Sequence, residues 1–485
     1  MVSEPDAATT RAWTAIGGPA GLTSKVSYRG AGRVLPAVLP VRELARATVG
    51  ACSLAAAELL AARNGGPVPG VRVDEGAVAT AFVSERHLLV DGRAPTPFAP
   101  LSGFWRTADG WVRTHANYAH HRARLLAALE IGAGEEHGDA AAGTVAAGAE
   151  DDRGAALVGC LTARLAELGA REVQERVHAA GGLAVAVAPA PDRVPGGETA
   201  GGLPLAEVGL GGAGGRGLPA APLPASGVRV LDLTRVIAGP VATRTLALLG
   251  ADVLRVDPPG LPEDPDSHID TGFGKRSALV DLDSAEGRHA FGALLDSADV
   301  VVTGYRPGAL DRYGLTPEAL AARRPGLVVA RLCAWGWSGP WSGRRGFDSL
   351  VQAARGIAAI EAEPSDSSDV WDPSVRPGAL PAQALDHGTG YLLAAGVLRA
   401  LTDRQTDGRG RDLRFSLAGT ADWLLHGIAP EPDGTGTYDA ADHLTETPSP
   451  YGLLRHALPP VHYEGAPGTW AAPPTRWGTD PADWP

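Results

Sequence analysis

Between residues 228 and 335 short apolar runs alternate with longer amphipathic stretches. VRVLDLT (228–234) predicts a strand, and AGPVATRTLALLG (238–250) a helix opened by Pro240 in its first turn and stopped at Gly250. ADVLRVD (251–257) and SALVDLD (277–283) give two more strands, and Asp283 with Glu286 forms a capping box ahead of the helix EGRHAFGALLDSA. ADVVVTGY and GLVVARLCAWG add two strands separated by a helix that starts at Thr316-Pro317. Strands this apolar, joined by helices, predict a parallel sheet covered on both faces. The expected fold class is therefore α/β: a Rossmann-like parallel sheet domain together with a smaller α+β domain.

Upstream, 42–63 carries apolar positions at helical spacing and ends at Asn64-Gly65-Gly66. Residues 104–130 read as a hairpin turned at Asp109-Gly110 and followed by a helix. Residues 132–155 show no period and read as a flexible insertion, 156–180 return to a helical pattern, and GGLAVAVAPA to a strand. Residues 195–226 are so rich in Gly and Pro that they read as a linker. The GxGxxG match at Gly209–Gly214 lies inside it, and Pro219, Pro222 and Pro224 forbid the helix that a dinucleotide site needs. A weak internal repeat matches 392–422 to 51–80: Ala-rich helix, Gly turn, Arg-containing strand, small-residue helix. The expected organisation is a tail over 1–40, a helix and small-domain segment over 41–195, a linker over 196–226, the sheet segment over 227–428 and a tail over 429–485.

With 485 residues, 44% of them hydrophobic and 20% charged, the chain has enough material for two to three domains. A net charge of -12 leaves no general basic surface, so neither nucleic acid nor a membrane is expected as a partner, and an anionic ligand needs a local site. The three cysteines (Cys52, Cys160, Cys333) include no CxxC and point to a reducing compartment; no metal is expected. No targeting segment and no uninterrupted apolar run of about 18 residues is read, so the expected location is cytoplasmic. His115, His120 and His121 lack metal-ligand spacing, and GxSxG, HExxH and GxxxxGK[ST] do not occur.

Asp386, in Leu385-Asp386-His387-Gly388-Thr389-Gly390, reads by itself either as a helix-capping aspartate or as a nucleophile. The order of motifs around it is more specific. VRVLDLTRVIAGPVATRTLALLGADVLRVDPPG, GKRSALVDLDSAEG, ADVVVTGYRPGALDRYGL, GWSGPWSGRRGFDSLVQAARG and ALDHGTGYLLAAGVLRAL, in that order over about 228–425, resemble successive motifs of the class III CoA-transferases. That family includes formyl-CoA transferase, carnitine CoA-transferase and alpha-methylacyl-CoA racemase. Residues 42–200 resemble the part of the family that follows the nucleophile, so the chain looks like one subunit's parts in permuted order.

The resemblance implies Asp386 as the nucleophile, with Gly388 and Gly390 letting backbone N–H groups approach the oxyanion. It implies Val236, Gly304, Tyr305, Arg312, Tyr313 and Arg345 at positions contacting CoA. No permanently bound cofactor is implied; acyl-CoA is a substrate, a small carboxylic acid its partner, and a homodimer the expected assembly. The implied activity moves CoA between an acyl-CoA and a carboxylic acid through an aspartyl-CoA thioester; a catalytically inactive binding or assembly partner of the same fold is the alternative. Several positions depart from the pattern: Ile237 for glutamine, Pro258 for arginine and Asp283 for lysine relative to formyl-CoA transferase, and Phe347 for the racemase's histidine, which argues against racemase chemistry. The offset that joins Arg63 to Arg404 sets Ala45 opposite Asp386, so the first copy is expected to lack a nucleophile and the chain to hold at most one active centre.

Overall fold

Each apolar run of 228–335 becomes one strand of a single sheet in the computed structural model, which describes residues 6–96, 98–132, 147–191, 202–362 and 374–484. The strands are β1 (Glu207–Ala213), β2 (Arg229–Leu233), β3 (Asp252–Asp257), β4 (Lys275–Leu279), β5 (Val300–Thr303), β6 (Val328–Cys333) and β7 (Arg409–Ser416). They form a seven-stranded sheet in the order β4-β3-β2-β5-β6-β7-β1. Every neighbouring pair is parallel except β7 with β1. The principal helices are α1 (Val41–Asn64), α2 (Ala238–Leu248), α3 (Ala285–Leu295), α4 (Pro317–Arg323) and α5 (Ala384–Asp407). Alternate strand residues Leu231, Leu233, Leu254, Val256, Val301 and Val329 pack with Phe291, Leu294 and Leu295 of α3 and Leu320 of α4 into one core. α2 and α5 pack against the strands as well and against each other. The α/β expectation, with a large parallel-rich sheet, holds.

The internal repeat is visible in the elements. α1 and α5 are both 24 residues long and both end at a left-handed glycine, Gly65 at φ 71° and Gly408 at φ 63°, a conformation that only Gly enters without a steric penalty. Each is followed by a strand and a short helix, Val71–Asp74 with Glu75–Ala81 and β7 with Leu417–Asp422. The two long helices pack together, and Glu58 and Arg399 form an ion pair between them at 3.0 Å. Among the described residues α1 is the one helix long and apolar enough to cross a membrane, and 89% of its most apolar window is buried inside the protein. A helix apolar around its whole circumference is what such a buried core position requires.

The chain divides into two units, one of residues 1–95, 194–344 and 381–485, the other of 96–193 and 345–380. This corrects the expected boundaries in three places. The segments read as tails belong to the larger unit. Ala7–Ala15 packs on α1 with Trp13 fully buried, and Val26–Arg29 pairs with Val71–Asp74. At the other end the Trp470, Trp477 and Trp484 indoles donate to the Arg244 carbonyl (3.2 Å), the Asp257 carboxylate (2.9 Å) and the Leu294 carbonyl (2.9 Å). Segments too short to make a core of their own are held by the aromatic area they bury and by satisfied indole donors.

The second correction concerns the linker, whose residues 207–213 form β1. A sheet edge needs a partner on one side only, and Gly211 lies so close to Gly410 that a Cβ there would stand 2.8 Å from its carbonyl carbon. Third, the segment called 41–195 divides at residue 95. Of the expected insertion, 133–146 lies outside the described residues, as do 192–201 of the linker region and 363–373, whereas 147–155 open the helix Ala147–Ala166.

The smaller unit is built on the antiparallel strands Phe104–Arg106, Trp111–Thr114 and Ala184–Ala186. Leu101, Val112, Leu125, Leu161, Val173 and Val177 form its core. The 345–380 insertion contributes the helix Asp348–Ala354 to it.

Candidate active site

In a sheet of this order the chain runs outward through β2, β3 and β4 and returns to β5 on the other side of β2. The topological switch point therefore lies between the carboxyl ends of β2 and β5, where open α/β sheets hold ligands. Leu233 and Thr303 pair there, and a Cβ on Gly304 would lie 3.5 Å from Thr234.

The turn after β2 is fixed from below by Asp232, a fully buried acid inside a strand. One of its carboxylate oxygens accepts from the Thr234 amide (2.9 Å) and hydroxyl (2.5 Å). The other accepts from the Thr243 hydroxyl (2.6 Å) and the Lys275 ammonium (3.1 Å). Lys275 also donates to the Pro240 carbonyl at 2.9 Å, so strand β4, the turn and α2 are tied through one carboxylate. Burial lowers the Lys275 ammonium to about 8 against the pull of Asp232.

Val236 stands in this turn at φ 71°. Its N–H donates to Glu263 (3.2 Å), which also accepts from Arg255 (3.0 Å); Arg255 in turn grips Asp257 through two nitrogens at 2.6 and 3.1 Å. Tyr305, half-buried at the end of β5, has its hydroxyl pushed up to about 12 by burial and by the nearby Asp257.

Asp386 occupies the first turn of α5 and is 6% exposed. Gly390, four residues on and hence on the same helix face, sits so close to α2 that a Cβ would stand 2.6 Å from the Ala238 carbonyl oxygen. The face of α5 that carries Asp386 is thus seated on the start of α2, directly after the Val236 turn. His387 is fully buried, stacked on Phe82 with ring centroids 5.3 Å apart and its Nε2 3.5 Å from Glu85. Burial alone would push the Glu85 carboxyl up; the adjacent His387 outweighs that and holds it below the ordinary range.

The structure brings Val236, Gly304 and Tyr305 to the switch point. Arg312 and Tyr313 lie on the short helical turn Asp311–Tyr313, where the Tyr313 hydroxyl donates to Asp283 at 3.0 Å and Arg312 pairs with the same carboxylate at 3.4 Å. Arg345 belongs to the smaller unit. There Phe347 stacks on buried His115 at 3.8 Å with planes 6° apart, and burial lowers the His115 imidazole to about 3.

Two expectations change. The N–H groups of Gly388 and Gly390 do not face an oxyanion: α5 begins at Ala384, and from His387 onward, whose N–H donates to the Gln383 carbonyl at 3.0 Å, each amide is committed four residues back. These glycines serve packing. The repeat also has a different register when counted from the helix caps, because Pro40 and Gln383 share φ -74° with ψ 62° and 63°. That count sets Glu43, not Ala45, opposite Asp386. Glu43 is buried and spoken for, accepting from Arg42 (2.7 Å) and from the Glu431 amide (3.0 Å). Sequence reading passed over Glu263 and Asp232; the one available signal was a charged residue inside an apolar strand pattern, as at Asp232.

The family model described as CoA-transferase family III matches residues 225–457. The chain is 36% identical to a probable fatty acyl-CoA transferase of Mycobacterium tuberculosis, over 39% of this chain and 49% of that protein. It is 30% identical to the formyl-CoA:oxalate CoA-transferase of Escherichia coli, over 53% of this chain and 63% of that protein. A crystal structure of a hypothetical protein from Mycobacterium tuberculosis is 34% identical, covers 42% of this chain and 56% of its own and gives a TM-score of 0.37. The chain spans about half the length of the curated relatives it matches. Residues 225–457 are the part of the chain that carries the likeness to CoA-transferase family III.

Proposed function

We propose that the protein transfers CoA from an acyl-CoA to a carboxylic acid, with Asp386 as the covalent carrier. The observation that carries this reading is a buried carboxylate on a helix face pressed against the start of α2, beside the sheet's switch point. Val236, Gly304 and Tyr305 follow the carboxyl ends of β2 and β5, where the thioester has a place to lie.

The chemistry balances without an external energy source. A carboxylate oxygen of Asp386 attacks the thioester carbonyl; the C–S bond breaks, giving a mixed anhydride and CoA thiolate. The thiolate attacks the Asp386 carbonyl of that anhydride, releases the donor's acid as carboxylate and leaves an aspartyl-CoA thioester. An incoming carboxylate reverses the two steps with its own acyl group, regenerating the Asp386 carboxylate. The thioester bond is conserved throughout, and burial of Asp386 keeps water from the anhydride. The named relatives act on different acyl groups, so the acid is proposed only as a small carboxylate.

Incubation with acetyl-, succinyl- and longer acyl-CoA, followed by intact-mass measurement, tests the reading. A hydroxylamine-sensitive adduct that is absent in Asp386→Asn is expected. No adduct across the panel overturns it and favours a non-catalytic partner of the same fold; an adduct that survives Asp386→Asn overturns the role of Asp386 as carrier.

A further inference from the structure

Val236 is one of four non-glycine residues with positive φ among the described residues, with Leu35, Asp91 and Glu130, and the only β-branched one. A β-branched side chain disfavours this conformation strongly, and such outliers persist where the surroundings over-determine them. Here the surroundings are Glu263. Its Oε2 accepts from the Val236 amide (3.2 Å) and from Arg255 (3.0 Å), and its Oε1 from the Asp264 amide (3.1 Å) and Arg235 (3.4 Å). The Glu263 and Arg255 side chains are each only 1% exposed. Arg235 is anchored further by the Leu261 and Pro262 carbonyls at 2.5 and 2.8 Å. The turn between β2 and α2 is thus clamped through two of its four residues, Arg235 and Val236, onto one carboxylate of the 261–264 loop.

We infer that Glu263 is a positioning residue that holds the Val236 peptide in its left-handed turn and thereby sets the affinity of the crevice for CoA thioesters. The inference rests on the reading of that crevice as the acyl-CoA site. Without the clamp, Val236 relaxes toward the extended region, and the shape that receives the ligand becomes a minor conformer. Apparent affinity then falls by the fraction of competent molecules.

Four proteins test it: wild type, Glu263→Gln, Val236→Gly and the double variant, each measured for CoA binding by calorimetry and for melting temperature without ligand. Glu263→Gln is expected to weaken CoA binding about tenfold, the order that left-handed disfavour of a non-glycine residue implies. In the Val236→Gly background the same change is expected to cost about twofold, because glycine enters positive φ freely. Equal losses in both backgrounds overturn the clamp and leave Glu263 as a partner for buried arginines; so does no loss in either. CoA binding by none of the four, wild type included, overturns the reading of the crevice and with it the affinity role. In that case the melting temperatures still report the clamp: it stands if Glu263→Gln lowers the wild type more than it lowers Val236→Gly, and falls if the two drops are equal.

Discussion

Gly390→Ala isolates the step from packing to reactivity. The added Cβ would stand 2.6 Å from the Ala238 carbonyl oxygen and 3.1 Å from Val241. Neither neighbour is a flexible side-chain end: one is helix backbone, the other a β-branched residue in the core. Ordinary contact begins near 3.4 Å, so α5 must withdraw from α2 by about 0.8 Å. Asp386 lies one turn away on the same face and moves with it. Misplacement of a reacting group by about 1 Å costs on the order of a hundredfold in rate. Acylation of Asp386 in a single turnover, followed by quenched-flow intact mass, is therefore expected to slow by about 30- to 100-fold. Overpacking of a core costs about 1–3 kcal/mol, while replacing a mid-helix glycine returns about 0.5–1 kcal/mol, so the melting temperature should fall by only a few degrees. Gly388→Ala is the control, because a Cβ there meets Leu44 at 3.5 Å and Thr420 at 3.6 Å, both ordinary contacts. It should acylate within about twofold of wild type and melt no lower. Wild-type acylation by Gly390→Ala, or equal slowing by Gly388→Ala, would refute the claim that the seat of α5 on α2 positions the carboxylate.

Two further outcomes follow from groups around the sheet. His268 is 2% exposed, its Nε2 lies 2.9 Å from the Thr475 carbonyl, and burial, aided by Arg255, lowers it to about 4. The unfolded chain takes up a proton as pH falls below about 6.5 while the folded state does not until about 4, so its contribution is complete above 6.5 and drains away across that window, about 3 kcal/mol in all. Urea midpoints at pH 7 and 4.5 should fall less for His268→Gln than for wild type; equal falls would refute the assignment. Asp283→Ser releases Arg312 and Tyr313 from their shared carboxylate at the surface, and CoA should bind about two- to fivefold more tightly at low salt, with the gain vanishing at high salt. An unchanged affinity would show that neither group meets the ligand.

The sequence determined what is local and periodic. The strands of 228–335, the helix stops at Gly65, Gly250 and Gly408 and the repeat of helix, strand and helix were legible because apolar spacing and glycine conformation act within a few residues. Asp386 stood out as a candidate because its neighbours formed an ordered string of motifs. The tertiary structure alone decided three matters. It turned a Gly-rich stretch into the edge strand 207–213, because a partner strand, and not propensity, supplies its hydrogen bonds. It drew both chain ends into the larger unit through aromatic burial that no local pattern announces. And it gathered Glu263, Val236 and Arg255 around one turn, and Lys275 and Asp232 beneath it, because buried charges must find partners wherever the fold brings them, at separations along the chain that carry no period.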